Sequence, residues 1–188
     1  MPDLTRDPIV NVVHQGIKRD IRLLLEHGGL RGALLLTLSA VDTMAYLWMD
    51  DGKDEVTRQD FIAWADRYVQ FPYVEAVSGL ELYAARCAAL HNYGTEAALT
   101  REGRCRQILW MSRARPEIIF DPAKRADLVM VSIPALAEVC LRGIDRFLVE
   151  TYSDSRRAER ADRRFRKMMH VLPGPGNAPA NPASQPEP

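Results

Sequence analysis

At 188 residues, with 25 basic and 25 acidic side chains, the chain is long enough for one domain with a real core and carries no net charge. The balance of charge gives no case for a protein that coats DNA or a membrane surface. Its three cysteines, Cys87, Cys105 and Cys140, are odd in number and widely spaced, which fits neither a disulfide framework nor a zinc pattern and points to a reducing compartment.

The opening residues MPDLTRDPIV lack the basic-then-apolar order of a secretion signal. Residues 9–27 predict a first helix. Val12, Val13, Ile17, Ile21, Leu24 and Leu25 recur at helical spacing, with Lys18, Arg19, Asp20 and Arg22 on the other, polar side. Gly28-Gly29 stops it, and so short a connection folds the next helix back. Residues 30–49 predict a second helix whose middle is apolar nearly all round, as at the centre of a bundle. Within it, residues 33–49 are the only candidate membrane span. Their modest length and the central Asp42 favour instead a buried helix of a soluble, cytoplasmic protein.

Thr57 with Asp60, and Ser78 with Glu81, form capping-box pairs. The first starts a helix running to about Phe71, before Pro72, and the second a helix ending at Gly94. Residues 95–103 add a turn or two. Three short apolar runs, 106–111, 117–120 and 128–131, then predict a small antiparallel β-hairpin or meander, inserted at about residues 104–131. Ser132 and Pro134 open a last helix that passes Leu148 and continues as the charged segment 154–167. The proline-rich residues 171–188 are expected to be a disordered tail. The expected fold is mainly α: a single domain over residues 1–170, an antiparallel helical bundle with the small β insertion. No phosphate loop, metal-ligand pair at helical spacing or strand-turn-helix around a nucleophile is present, so neither a metal nor a cofactor is expected.

Within this plan the stretch 80–94, LELYAARCAALHNYG, is apolar for three turns yet contains Arg86 and His91. A charge in such surroundings needs a partner or a ligand, because leaving it unpaired costs several kcal/mol, of the order of ~3–5. Asp42 is the matching lone charge of the second helix, and the two are expected to pair. Such a pair can be purely structural, as can a histidine at a helix end. Arg86 and His91 are five residues apart, about 7.5 Å along a helix and roughly 140° around it, so they share no stripe. Acting together would require the helix end to bend or a second subunit to contribute. The basic cluster within 156–167 reads either as a solvated helix end or as an RNA-backbone contact. Trp110, among Arg104, Arg106, Arg113 and Arg115, reads either as core or as a base-stacking residue.

The segment Arg86-Cys-Ala-Ala-Leu-His91 resembles the arginine-to-histidine motif of HEPN domains, helical bundles found in prokaryotic toxins and RNA-processing enzymes. The context is similar too: an apolar helix with an acidic residue, Asp42, precedes the motif helix, which has Tyr83 just before the arginine. The resemblance covers roughly residues 9–94. It implies metal-independent RNA cleavage by a homodimer whose motifs face each other, with a cognate antitoxin or other protein as a further partner. By that resemblance His91 is the general acid/base, Arg86 the phosphate clamp and Asp42 its orienting partner, with Asn92 and Tyr93 in support. The residue types suit the chemistry, since histidine exchanges protons near neutral pH and arginine offers paired donors to a charged phosphate. Active members often carry a polar residue after the arginine, where this chain has Cys87. Relatives without catalysis serve as interaction or dimerisation modules, and that is the second reading. An unrelated helical protein is the third.

Overall fold

A computed structural model describes residues 7–72, 77–112 and 117–168. Asp7 caps the first turn, its carboxylate accepting from the N–H groups of Ile9 and Val10. The first helix then runs unbroken in three parts: α1 (Pro8–Asn11), a π-helical segment (Val12–Lys18) and α2 (Arg19–Glu26). Turns of the π form are wider and shift later residues around the axis. One expectation is overturned here. Lys18, expected on the polar side, is only 2% exposed and ion-pairs with Asp145.

Gly28, at φ 73°, turns the chain into α3 (Leu30–Trp48), which begins at Gly29 without a side-chain cap. This helix packs against α2, α4 (Arg58–Tyr68), α5 (Gly79–Asn92), α8 (Ile133–Tyr152) and α9 (Ser155–Phe165). Ala33, Leu38, Val41, Met44 and Ala45 are sealed in the core, while Leu35, Leu36, Asp42 and Thr43 are partly open and Ser39 is exposed. Among the described residues it is the one helix long and apolar enough to cross a membrane, and about half of it is buried against the protein.

The α4 capping box forms as expected, with Thr57 and Asp60 bonding reciprocally, but the helix ends at Tyr68 rather than Phe71. Trp64, Tyr68 and Phe147 of α8 make an aromatic knot that fixes α4 to α8. After α5 a single turn, α6 (Ala98–Arg101), leads to the sheet.

The three strands lie where the apolar runs placed them, at β1 (Gln107–Met111), β2 (Ile118–Ile119) and β3 (Leu128–Ser132), with one turn of helix, α7 (Pro122–Arg125), between the last two. Their order corrects the hairpin-or-meander expectation. The sequence is β1-β3-β2, with β1 parallel and β2 antiparallel to β3. Parallel pairing requires a crossover of a dozen or more residues, which the chain between Met111 and Leu128 supplies. The central place goes to β3, whose Val129 and Val131 are fully buried.

Ser132 accepts from Ala135 to open α8 and also holds the N–H of Glu117, tying β2 to the helix start. The expected continuation of α8 into the charged segment is also corrected. The helix stops at Tyr152, and Asp154 caps the separate α9 by accepting from Arg157. The three cysteines are unbridged, and burial pushes the Cys140 thiol far up. The expected tail at 171–188, and Arg113 and Arg115, lie outside the described residues. The molecule is mainly helical with a small three-stranded sheet.

Candidate functional site

The helix that carries the motif is fixed at its start. Ser78 Oγ accepts from the N–H of Glu81, and the Glu81 carboxylate accepts in return from the N–H of Ser78 at 2.8 Å. One turn and a half later Arg86 points at α3, where its Nε donates to Asp42 Oδ2 at 2.8 Å. The expected pair therefore forms. Both side chains are about three-quarters covered, 25% and 24% exposed, so it lies neither in the sealed core nor in free solvent.

Its electrostatics are asymmetric. Burial pushes the Asp42 carboxyl above its usual range, and Arg86 only partly offsets that. At Arg86 burial is outweighed by Asp42 and by Cys87, so the guanidinium is held charged. Asp42 engages Nε, and among the described residues no other carboxylate takes up this guanidinium. Cys87 interacts with both Arg86 and Tyr83, and Tyr83 itself packs edge-on against Phe61 at 5.5 Å.

His91 is exposed in the last turn, five residues on, and α5 continues through it without a break, which at ideal helical spacing puts it roughly 140° around from Arg86. A single chain thus brings together Asp42 and Arg86 and leaves His91 on another face. The side chain of Asn92 lies outside the described set. Tyr93 differs from expectation. It, and not Gly94, takes the left-handed conformation that ends α5, at φ 51° and ψ 25°. Its N–H and that of Gly94 donate to Ala89 and Ala88, the pattern of a closed helix end.

The basic segment is largely committed to structure. Arg160 pairs with Asp50 at 2.8 Å and Arg163 with Asp51 at 2.9 Å. Arg164 is buried, donates to the carbonyls of Asp50 and Lys53, and lies over the Tyr46 ring. Trp110 is partly buried in β1, and the nearby Arg106 is taken by Glu81.

Sequence reading missed two clusters. One is Lys18 with Asp145, with His14 Nε2 3.9 Å from the same carboxylate. Burial and then Lys18 lower the proton affinity of His14, against the pull of Asp145. The other is the bond between Arg106 and Glu81. A glutamate already spoken for as a cap gave no signal of a second partner. Among the described residues no group of three metal-ligating side chains is assembled. Compared with known proteins, the chain matches no family model, no curated protein and no solved structure.

Proposed function

We propose that this protein cleaves RNA without a metal, as a HEPN-like homodimer in which an antiparallel bundle sets the two motif helices face to face. Arg86 holds the scissile phosphate, Asp42 orients it, and His91 moves protons. One observation carries this reading: Arg86 is steered through Nε by Asp42 while sitting at a seam that remains a quarter open. A guanidinium so held presents its remaining donors in a fixed direction, as anion recognition requires. In the reaction the ribose 2′-oxygen attacks the adjacent phosphorus and the bond to the 5′-oxygen breaks, leaving a cyclic phosphate and a 5′-hydroxyl. One imidazole accepts the 2′ proton and another delivers a proton to the leaving oxygen. With one His91 per chain, two copies supply the pair. The partly open α3 face around Leu36 and Ser39, outside the cleft that Leu35 lines, is where a second copy would meet it.

The test is an RNA cleavage assay with chelator present, comparing wild type with Arg86→Ala and His91→Ala, alongside the solution mass. Cleavage lost in both variants of a dimer supports the proposal. Cleavage that persists in both, or never occurs, removes it.

A second reading, a non-catalytic interaction module, is favoured by the 140° between Arg86 and His91 and by Cys87 beside the arginine. It expects a stable assembly without cleavage, and an Arg86→Ala variant that loses stability and nothing else.

A further inference from the structure

Between the start of α3 and the end of α5 opens a cleft of about 890 Å³, within the range of roughly 300–1,000 Å³ typical of small-ligand sites. Aliphatic side chains of α3, α5 and α8 wall it, with Trp110 of β1 and Tyr93 beside them. Among its described lining residues Arg31 is the only charged side chain, and there is no carboxylate.

Two residues of this cleft each break a local rule. Tyr93 adopts a left-handed conformation that glycine takes freely and tyrosine does not, although Gly94 is the next residue. Tyr93 nonetheless stays 73% exposed, so core packing does not compensate. Arg31 is a cation in the first turn of a long helix, where the helix dipole disfavours positive charge. It is exposed, and no described carboxylate pairs with it. Local rules broken together at one concave site point to function there.

An open aromatic ring, apolar walls and an unpaired cation match a flat ring joined to an anion. We propose that this cleft binds a nucleotide, with its base against Tyr93 and Trp110 and its phosphate at Arg31. The nucleotide has two possible sources, a free mononucleotide or one unit of an RNA strand. Leu35 of the cleft is seven residues from Asp42 along α3, and Ala89 of the cleft is within one turn of Arg86 along α5. Seven residues are two turns, about 10 Å, so the cleft and the Asp42–Arg86 pair lie on the same seam. An extended dinucleotide covers that span. The strand as occupant rests on the reading of Arg86 as a phosphate clamp, whereas the nucleotide site does not.

The test uses binding alone. Adenosine and uridine 5′-monophosphates, and a labelled 2′-O-methyl oligoribonucleotide that cannot be cleaved, are titrated against the full chain and read by amide chemical shifts and fluorescence anisotropy. Both are expected to shift the amides of residues 28–32 and 93–95. Loss of one stacked base or phosphate contact should weaken binding about tenfold in Tyr93→Gly and in Arg31→Glu. Both variants suit their backbone positions, so their melting temperatures should not fall. Arg86→Ala should weaken the oligomer and leave the mononucleotides unchanged. Shifts that appear elsewhere or not at all, or wild-type affinity in both cleft variants, would overturn the proposal. Mononucleotide binding in the cleft with no effect of Arg86→Ala on the oligomer supports the site as one for free nucleotides and rejects the clamp. An unmethylated strand that binds through the cleft and stays intact supports the site while removing the cleavage reaction.

Discussion

Arg106, at the foot of β1, grips Glu81 with two nitrogens, and Glu81 is the residue that closes the cap of the helix carrying Arg86. Nε of Arg106 lies 2.5 Å from Oε1 and Nη2 lies 3.1 Å from Oε2, and the same Oε2 accepts from the N–H and hydroxyl of Ser78. The Phe120 ring lies 4.5 Å from the guanidinium. One carboxylate, 4% exposed, thus joins the sheet to the start of the site helix.

Glu81→Ala would take from the mostly buried Arg106 the carboxylate it grips with two nitrogens and strip the cap of its acceptor. Breaking such a pair costs about 3–5 kcal/mol, which in a domain of this size lowers Tm by roughly 10 °C. Glu81→Gln, which keeps the shape, should lose less. A melting curve that moves by under about 2 °C in Glu81→Ala would mean the clamp contributes little. The pH dependence has a definite sign. Burial alone would raise the Glu81 carboxyl, but the bonds from Arg106 and Ser78 outweigh it and hold the group below its usual 4.5. Its stabilisation is therefore complete above about 4.5 and is lost as pH falls through the lower folded value.

Gly143 of α8 lies hard against the last residue of α4. A Cβ there would stand 2.4 Å from the carbonyl oxygen of Tyr68 and 2.9 Å from its carbon. That carbonyl also accepts from Arg146, so neither side has room to move. Overpacking of this kind costs about 1–3 kcal/mol, and a backbone neighbour places Gly143→Ala at the upper end. The denaturation midpoint measures it. An unchanged midpoint would show the two helices crossing more loosely than 2.4 Å implies.

The helix starts were legible because they are written locally. Thr57 with Asp60, Ser78 with Glu81, and Ser132 each satisfy an N–H within three residues. The Asp42–Arg86 pair was legible for a related reason, since two otherwise apolar helices leave their lone charges few alternatives. The failures have specific causes. Lys18 was misplaced by residue type, since α spacing already puts it on the stripe of Ile21 and Leu25, and its partner Asp145 lies far along the chain. The sheet order depends on pairing across the chain between Met111 and Leu128, which no local pattern encodes. Gly94 was preferred to Tyr93 as terminator because glycine is the low-cost choice, and the sequence holds no sign that the costlier one was taken. The break before α9 was readable in Asp154, but helical spacing carried straight through it.

Arg164 is the residue of the basic segment most committed to the fold. It is 6% exposed, gives its terminal nitrogens to the Asp50 and Lys53 carbonyls, and lies 5.2 Å from the Tyr46 ring centroid. It therefore satisfies carbonyls that follow the end of α3 and docks α9 on them. Arg164→Ala should cost about 2–4 kcal/mol, in the range for losing charge-assisted bonds and a packed stem. Arg164→Lys should recover little, because an ammonium cannot span the two carbonyls and stack on a ring. Hydrogen exchange is the direct measure, with faster exchange expected in α9 and residues 50–53. Unchanged protection there would refute the docking role.

Asp42 behaves oppositely to Glu81, and that difference separates the two readings of the site. Burial raises its carboxyl above the usual 3.8 despite Arg86. A raised carboxylate favours folding most at low pH, where it is neutral in both states. That advantage is lost as pH rises from 3.8 through the folded value. At neutral pH Asp42→Asn should therefore stay within about 1 kcal/mol of wild type, since the amide oxygen still accepts a weaker bond from Arg86 Nε while the burial penalty on the carboxylate disappears. Arg86→Ala instead strands an ionised carboxylate. With a quarter of the pair open to solvent, the cost should be about 1–3 kcal/mol, between exposed and buried pairs. If Asp42 orients Arg86 for phosphate, Asp42→Asn loses RNA cleavage while keeping its Tm. Equal destabilisation by both substitutions, with no effect of either on RNA, would make the pair a structural bridge and nothing more.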